Sequence, residues 1–78
     1  MEPSQLLAQA VKARRIQLGL TQEALSLRAS TSLVFIYNIE RGKPTLRFDK
    51  LLGVLTVLGL QLRVEVGNEG ILDGTRVG

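Results

Sequence analysis

Apolar residues recur along most of this chain at three- and four-residue intervals and then, near its end, at intervals of two. The pattern alone therefore predicts a series of short helices followed by one strand. Leu6, Leu7, Ala10, Val11 and Leu18 trace one stripe of a long first helix, opened by Pro3 and Ser4. Gly19 can take the left-handed conformation that closes it. Thr21 can then accept a backbone N–H as the cap of a second helix, about two turns long, with Ala24, Leu25 and Ala29 facing inward. Ser30, Thr31 and Ser32 break the stripe because their hydroxyls compete for backbone groups, and Ser32 is placed to cap a third helix from Leu33 through Ile36 and Ile39. Glu40 ends that run, and Arg41-Gly42-Lys43-Pro44 supplies a cation, a closing glycine and a proline that stops propagation.

Beyond Pro44, the pattern predicts that Thr45 caps a fourth helix through Leu46, Phe48, Leu51, Leu52, Leu55 and Leu58, with Gly59 as its stop. Gly53 inside it costs about 1 kcal/mol relative to alanine, and close packing against another helix is the favoured explanation over a kink. From Leu60 the period changes: Leu60, Leu62, Val64 and Val66 alternate with Gln61, Arg63 and Glu65, as in a strand buried on one face. A lone strand cannot satisfy its edges, and the chain offers no second one. The same strand of another copy is the expected partner, across a two-fold axis; packing back onto the chain's own helices is the alternative. The resulting division is a helical domain over 1–59, a dimerisation strand over 60–66 and a flexible, glycine-rich tail over 67–78. The tail glycines lack the Gly-Lys-Ser/Thr sequence and the strand-loop-helix context of a phosphate loop.

Composition narrows the function. Seventy-eight residues make one small domain, which buries about 60% of the surface of its unfolded chain, so self-association would help it. With neither cysteine nor histidine, the chain has no disulfide, thiolate metal ligand or imidazole base, and neither metal nor cofactor is expected. Ser30, Thr31 and Ser32 have no histidine to activate them, and Glu23, Glu40 and Asp49 read as capping and surface charges, so an enzyme is not expected. MEPSQ lacks the basic and apolar regions of a signal peptide and no apolar run approaches a membrane span, so a cytoplasmic, nucleoid-associated protein is expected. The net charge of +3 is unevenly placed. Up to residue 50 there are eight Lys or Arg against four acids, and after it two against three, so the basic excess lies on the helical part, as a phosphate-facing surface requires.

Two short helices joined by a tight turn form a helix-turn-helix, an arrangement that points to double-stranded DNA. KARRIQLGLTQEAL from Lys12 to Leu25, with IYNIERGK from Ile36 to Lys43, resembles the Xre/Cro-type helix-turn-helix repressors, including those of lambdoid phages, over roughly residues 5 to 60. The resemblance implies a mainly α, lambda-repressor-like domain of four helices. The added C-terminal strand makes the chain most similar to the HipB-type antitoxins. In that group a homodimer joined by a shared two-stranded sheet represses its own operon at an inverted repeat and binds a HipA-like kinase toxin. The same resemblance implies an ion pair between Arg15 and Glu40.

Roles for individual residues follow. Gln22, just inside the second helix, can donate to a phosphate. Ser32, Leu33, Val34, Tyr37 and Asn38 fall on the part of the third helix that enters the major groove in this motif, and Asn38 can bond an adenine edge through both its oxygen and its amide. Arg41 and Lys43 are placed for backbone phosphates, or as a solvent-exposed helix end. Leu33 and Val34 depart from the family, which commonly carries hydrogen-bonding side chains there. They can touch thymine methyls, or join Leu27 and Phe35 in an apolar patch covered by a protein partner or by the fold, with the core the favoured place for Phe35. Ser26, Ser30 and Thr31 replace the usual Ala, Gly and Val. The alternative function is accordingly an interaction module that neutralises a partner without strong operator binding, or a stand-alone Xre-type regulator.

Overall fold

The computed structural model describes residues 2–66, and the expected tail over 67–78 lies outside them. Four helices follow one another: α1 (Pro3–Gln17), α2 (Gln22–Arg28), α3 (Leu33–Glu40) and α4 (Phe48–Leu58). α3 packs against both α1 and α2, and α4 closes the bundle by packing against the same two helices. Val11, Leu25, Ile36, Ile39, Val54 and Leu58 are almost completely removed from solvent, so each helix contributes at least one residue to a single core. Among the described residues, no helix is long and apolar enough to cross a membrane.

The helix starts at Thr21 and Ser32 are set locally: Thr21 Oγ1 accepts from Ala24 N and Ser32 Oγ from Phe35 N, each at 3.0 Å. α4 starts differently from the sequence expectation. Its first residue is Phe48, its cap is Arg47 without a side-chain bond, and Thr45 caps nothing. Leu46 instead reaches the core from the loop, while the Arg47 guanidinium bonds the Asp49 carboxylate at 2.8 and 3.2 Å. Arg47, with the Lys50 backbone N–H, holds the Asp49 carboxyl below its usual range. Whatever the pair contributes is therefore present at neutral pH and lost only in acid, as the pH falls through the lowered value.

All four helices end in the same double hydrogen bond, in which the two amides after the last turn reach back to orphan carbonyls. At α2 these are Ser30 N to Leu27 O at 3.2 Å and Thr31 N to Ser26 O at 2.9 Å. The motif needs one residue at positive φ. Gly19, Gly42 and Gly59 supply it at three helices, but α2 uses Ser30 at φ 53°. The turn of the helix-turn-helix thus keeps the geometry that glycine favours while carrying a Cβ. The next residue adds a second local cost, since the buried Thr31 hydroxyl has no hydrogen-bond partner among the described residues.

Gly53 corrects the sequence reading. It lies exposed on α4, and a Cβ built there meets nothing within 4 Å, so close helix packing does not explain it. Ser30→Gly and Gly53→Ala are each expected to stabilise the domain by about 1 kcal/mol, which raises the melting midpoint by about 4–8 °C in a thermal unfolding scan. Thr31→Val should act in the same direction.

Residues 60–66 form no strand in the isolated chain. Leu60 packs against the core, and Leu62 lies over an apolar depression with Leu7, Leu46, Phe48 and Leu51, whereas Val64 is 91% exposed. A ladder requires a second strand, and the described residues contain none.

Candidate nucleic-acid interface

Helix α3 is divided sharply between its two faces. Ile36 and Ile39 are 0% and 1% exposed, whereas Leu33, Val34 and Tyr37 are 47%, 65% and 56% exposed. Ser32 at the helix start is exposed as well. The inner face fixes the helix in the core, and the outer face carries an apolar first turn, Leu33-Val34, followed one turn later by the tyrosine. Phe35 turns the other way and packs against the core. Leu27, on α2, is 74% exposed.

A buried ionic network sets the position of α3. Arg15 Nε donates to Glu40 Oε2 at 2.7 Å and its Nη2 to Oε1 at 3.0 Å, and the two side chains keep only 12% and 5% of their exposure. Arg15 Nη1 also donates to the Leu20 carbonyl at 2.7 Å, and Gln22 Nε2 donates to Glu40 Oε1 at 3.2 Å. One carboxylate thereby joins α1, the α1–α2 turn, α2 and the end of α3. Its bonds, more than its charge, raise the Arg15 pKa against the opposing effect of burial, so the guanidinium stays charged at every relevant pH.

The network changes the reading of Gln22. One of its amide hydrogens is directed inward at Glu40, which leaves the other hydrogen and the carbonyl for an outside ligand. Asn38 is constrained in a similar way. It is half-buried, and its Oδ1 accepts from Arg41 Nε at 2.9 Å, so its oxygen is already engaged inside the protein. The Arg41 guanidinium also sits 5.9 Å from the centre of the Tyr37 ring. Lys12, Arg15, Gln22, Tyr37, Glu40 and Arg41 surround a shallow depression of about 340 Å³ beside the outer face of α3. Lys43 lies on the opposite flank, lining a second depression with Phe35, Asn38 and Arg47. Cations therefore border α3 on two sides, and its first turn carries no acid.

Two contributors have no clear signature in the sequence. Lys12 joins the depression from α1, where a solvated lysine reads the same from its spacing alone. Arg14 acts on the scaffold: its Nε donates to the Leu58 carbonyl at 2.9 Å, which places a cation at the C-terminal end of α4 and ties it to α1.

The helix-turn-helix family model matches residues 11–64. Among solved structures, one described as "MDT Protein" has a TM-score of 0.72 and 25% sequence identity, with 82% of this chain and 90% of that chain covered. No curated protein sequence matches the chain.

Proposed function

Because the chain belongs to the helix-turn-helix family, a DNA-binding regulatory domain, we propose that it is a homodimeric, sequence-specific repressor that binds an inverted-repeat operator. The reading rests on one observation, the contrast between the buried inner face of α3 and the exposed Ser32, Leu33, Val34 and Tyr37 on the other. A helix held this firmly along one side, with its opposite side exposed and bordered by cations, suits insertion into a major groove. In this reading Asn38 adds the amide hydrogens left free by Arg41, and Gln22, Arg41 and Lys43 meet phosphates. Leu60, Leu62, Val64 and Val66 pair with their counterparts in a second subunit, and the half-sites lie about one helical turn apart.

The succession of a fourth helix and an alternating apolar segment favours a more specific version, an antitoxin that represses its own operon and binds a HipA-like kinase toxin. Co-expression with the product of the adjacent reading frame tests that version, with a stable complex as the expected result. The dimer is tested by light scattering. The wild-type chain, of 8.5 kDa, is expected at twice that mass, and Val64→Asp at the monomer mass with its helical circular dichroism unchanged. Loss of the second site should weaken operator binding by about 10²–10⁴-fold. A wild-type chain that stays monomeric at high concentration contradicts the proposal.

A further inference from the structure

The exposed first turn of α3 is unusual for a surface that reads bases, because it offers hydrocarbon where hydrogen-bonding groups are useful. Ser32 Oγ already accepts from Phe35 N, and Leu33 and Val34 have no polar side-chain atoms. One turn on, the Asn38 oxygen is held by Arg41, which also lies near the Tyr37 ring. In the major groove, the thymine C5 methyl is the apolar group displayed by the base pairs. Accepting the proposed function as its premise, we propose that Leu33 and Val34 select operator DNA by packing against thymine C5 methyl groups.

Charge identifies the occupant of this surface as nucleic acid. Arg41 and Lys43 follow the helix directly, Lys12 and Arg47 line its two flanks, and the one carboxylate on α3, Glu40, is buried against Arg15. An apolar patch framed by cations complements a groove whose walls are phosphates and whose floor carries methyls. Methyl contact also gives the polar groups a limited task. They fix register on the backbone while the base preference comes from buried hydrocarbon, so the preferred base pair at each contacted step is T·A with its thymine on the side facing α3.

The test begins with a randomised duplex pool, from which the full chain selects a sequence. The recovered duplex is then resynthesised with deoxyuridine in place of thymidine, one position at a time, which removes the methyl and retains every hydrogen-bonding atom. At one or two positions in each half-site, affinity is expected to fall about fourfold per methyl, the equivalent of one buried methylene. The penalty should disappear in Leu33→Ala or Val34→Ala, both at exposed positions, with the salt dependence of binding unchanged. 5-Methylcytosine at the same position should bind more tightly than unmodified cytosine. The inference is overturned if deoxyuridine at every thymine leaves affinity unchanged, or if its penalty persists in the double alanine variant, since it then comes from the DNA itself. Binding without enrichment of any sequence overturns the inference but leaves DNA binding in place. Failure to bind any duplex overturns the proposed function with it and turns attention to a protein as the occupant of this face.

Discussion

Glu40→Ala is expected to cost about 3–5 kcal/mol of folding stability, because it leaves the Arg15 guanidinium buried with the Leu20 carbonyl and no opposing charge. The total stability of a chain this size is only about 4–12 kcal/mol, so this single change should bring the domain close to unfolding. Removing both charges with apolar residues of similar volume, Arg15→Met with Glu40→Leu, should cost far less than either single change, since no stranded ion remains. Urea denaturation of the two single variants and the double variant measures the difference. Additive losses would mean that the network owes its strength to contacts other than charge. The same cycle separates stability from placement, because the double variant should still fold while losing the bonds that tie α3 to α1 and α2.

The second large effect concerns binding. If Arg41 and Lys43 of each subunit neutralise one phosphate apiece, a dimer releases counterions at four, and log affinity falls with log salt at a slope of about −3.6. Raising salt from about 50 to about 200 mM should then weaken binding by about 150-fold. Lys43→Ala, which removes one cation from each subunit, should reduce the slope to about −1.8, with the ranking of one duplex sequence over another retained. An unchanged slope in that variant assigns Lys43 to the helix end and not to the duplex. Arg41 is a less clean probe, since its removal also releases the Asn38 oxygen and uncovers the Tyr37 ring.

Much of the fold was legible because its determinants are local. Thr21 and Ser32 announce helix starts through an oxygen three residues from its amide, and Gly19, Gly42 and Gly59 announce ends through the one backbone region that glycine enters freely. Local signals also mislead. Thr45 has the right chemistry for a cap, but Leu46 is drawn into the core before the helix begins, and Gly53 sits at a packing-like position yet faces solvent. Features that depend on residues far apart in sequence were less accessible. No spacing rule reveals that Arg14 bonds a carbonyl forty-four residues away or that Gln22 turns toward Glu40, whereas the bond between Asn38 and Arg41 has ordinary three-residue helical spacing. Residues 60–66 mark a different limit. Their alternation is plain in the sequence, but residues 60–66 form no strand in the isolated chain, and pairing is a property of two segments.

The outer face of α3, offered to a duplex by two joined subunits, is the claim on which the functional account depends. Amide chemical shifts of the isotopically labelled chain, followed during titration with its selected duplex, test it most directly. The predicted result is saturation at two chains per duplex, with the largest shifts at Gln22, Ser32 to Asn38 and Arg41 to Lys43. Shifts confined to α4 and the apolar depression near Leu62, with Leu33 and Val34 unmoved at saturation, would contradict it.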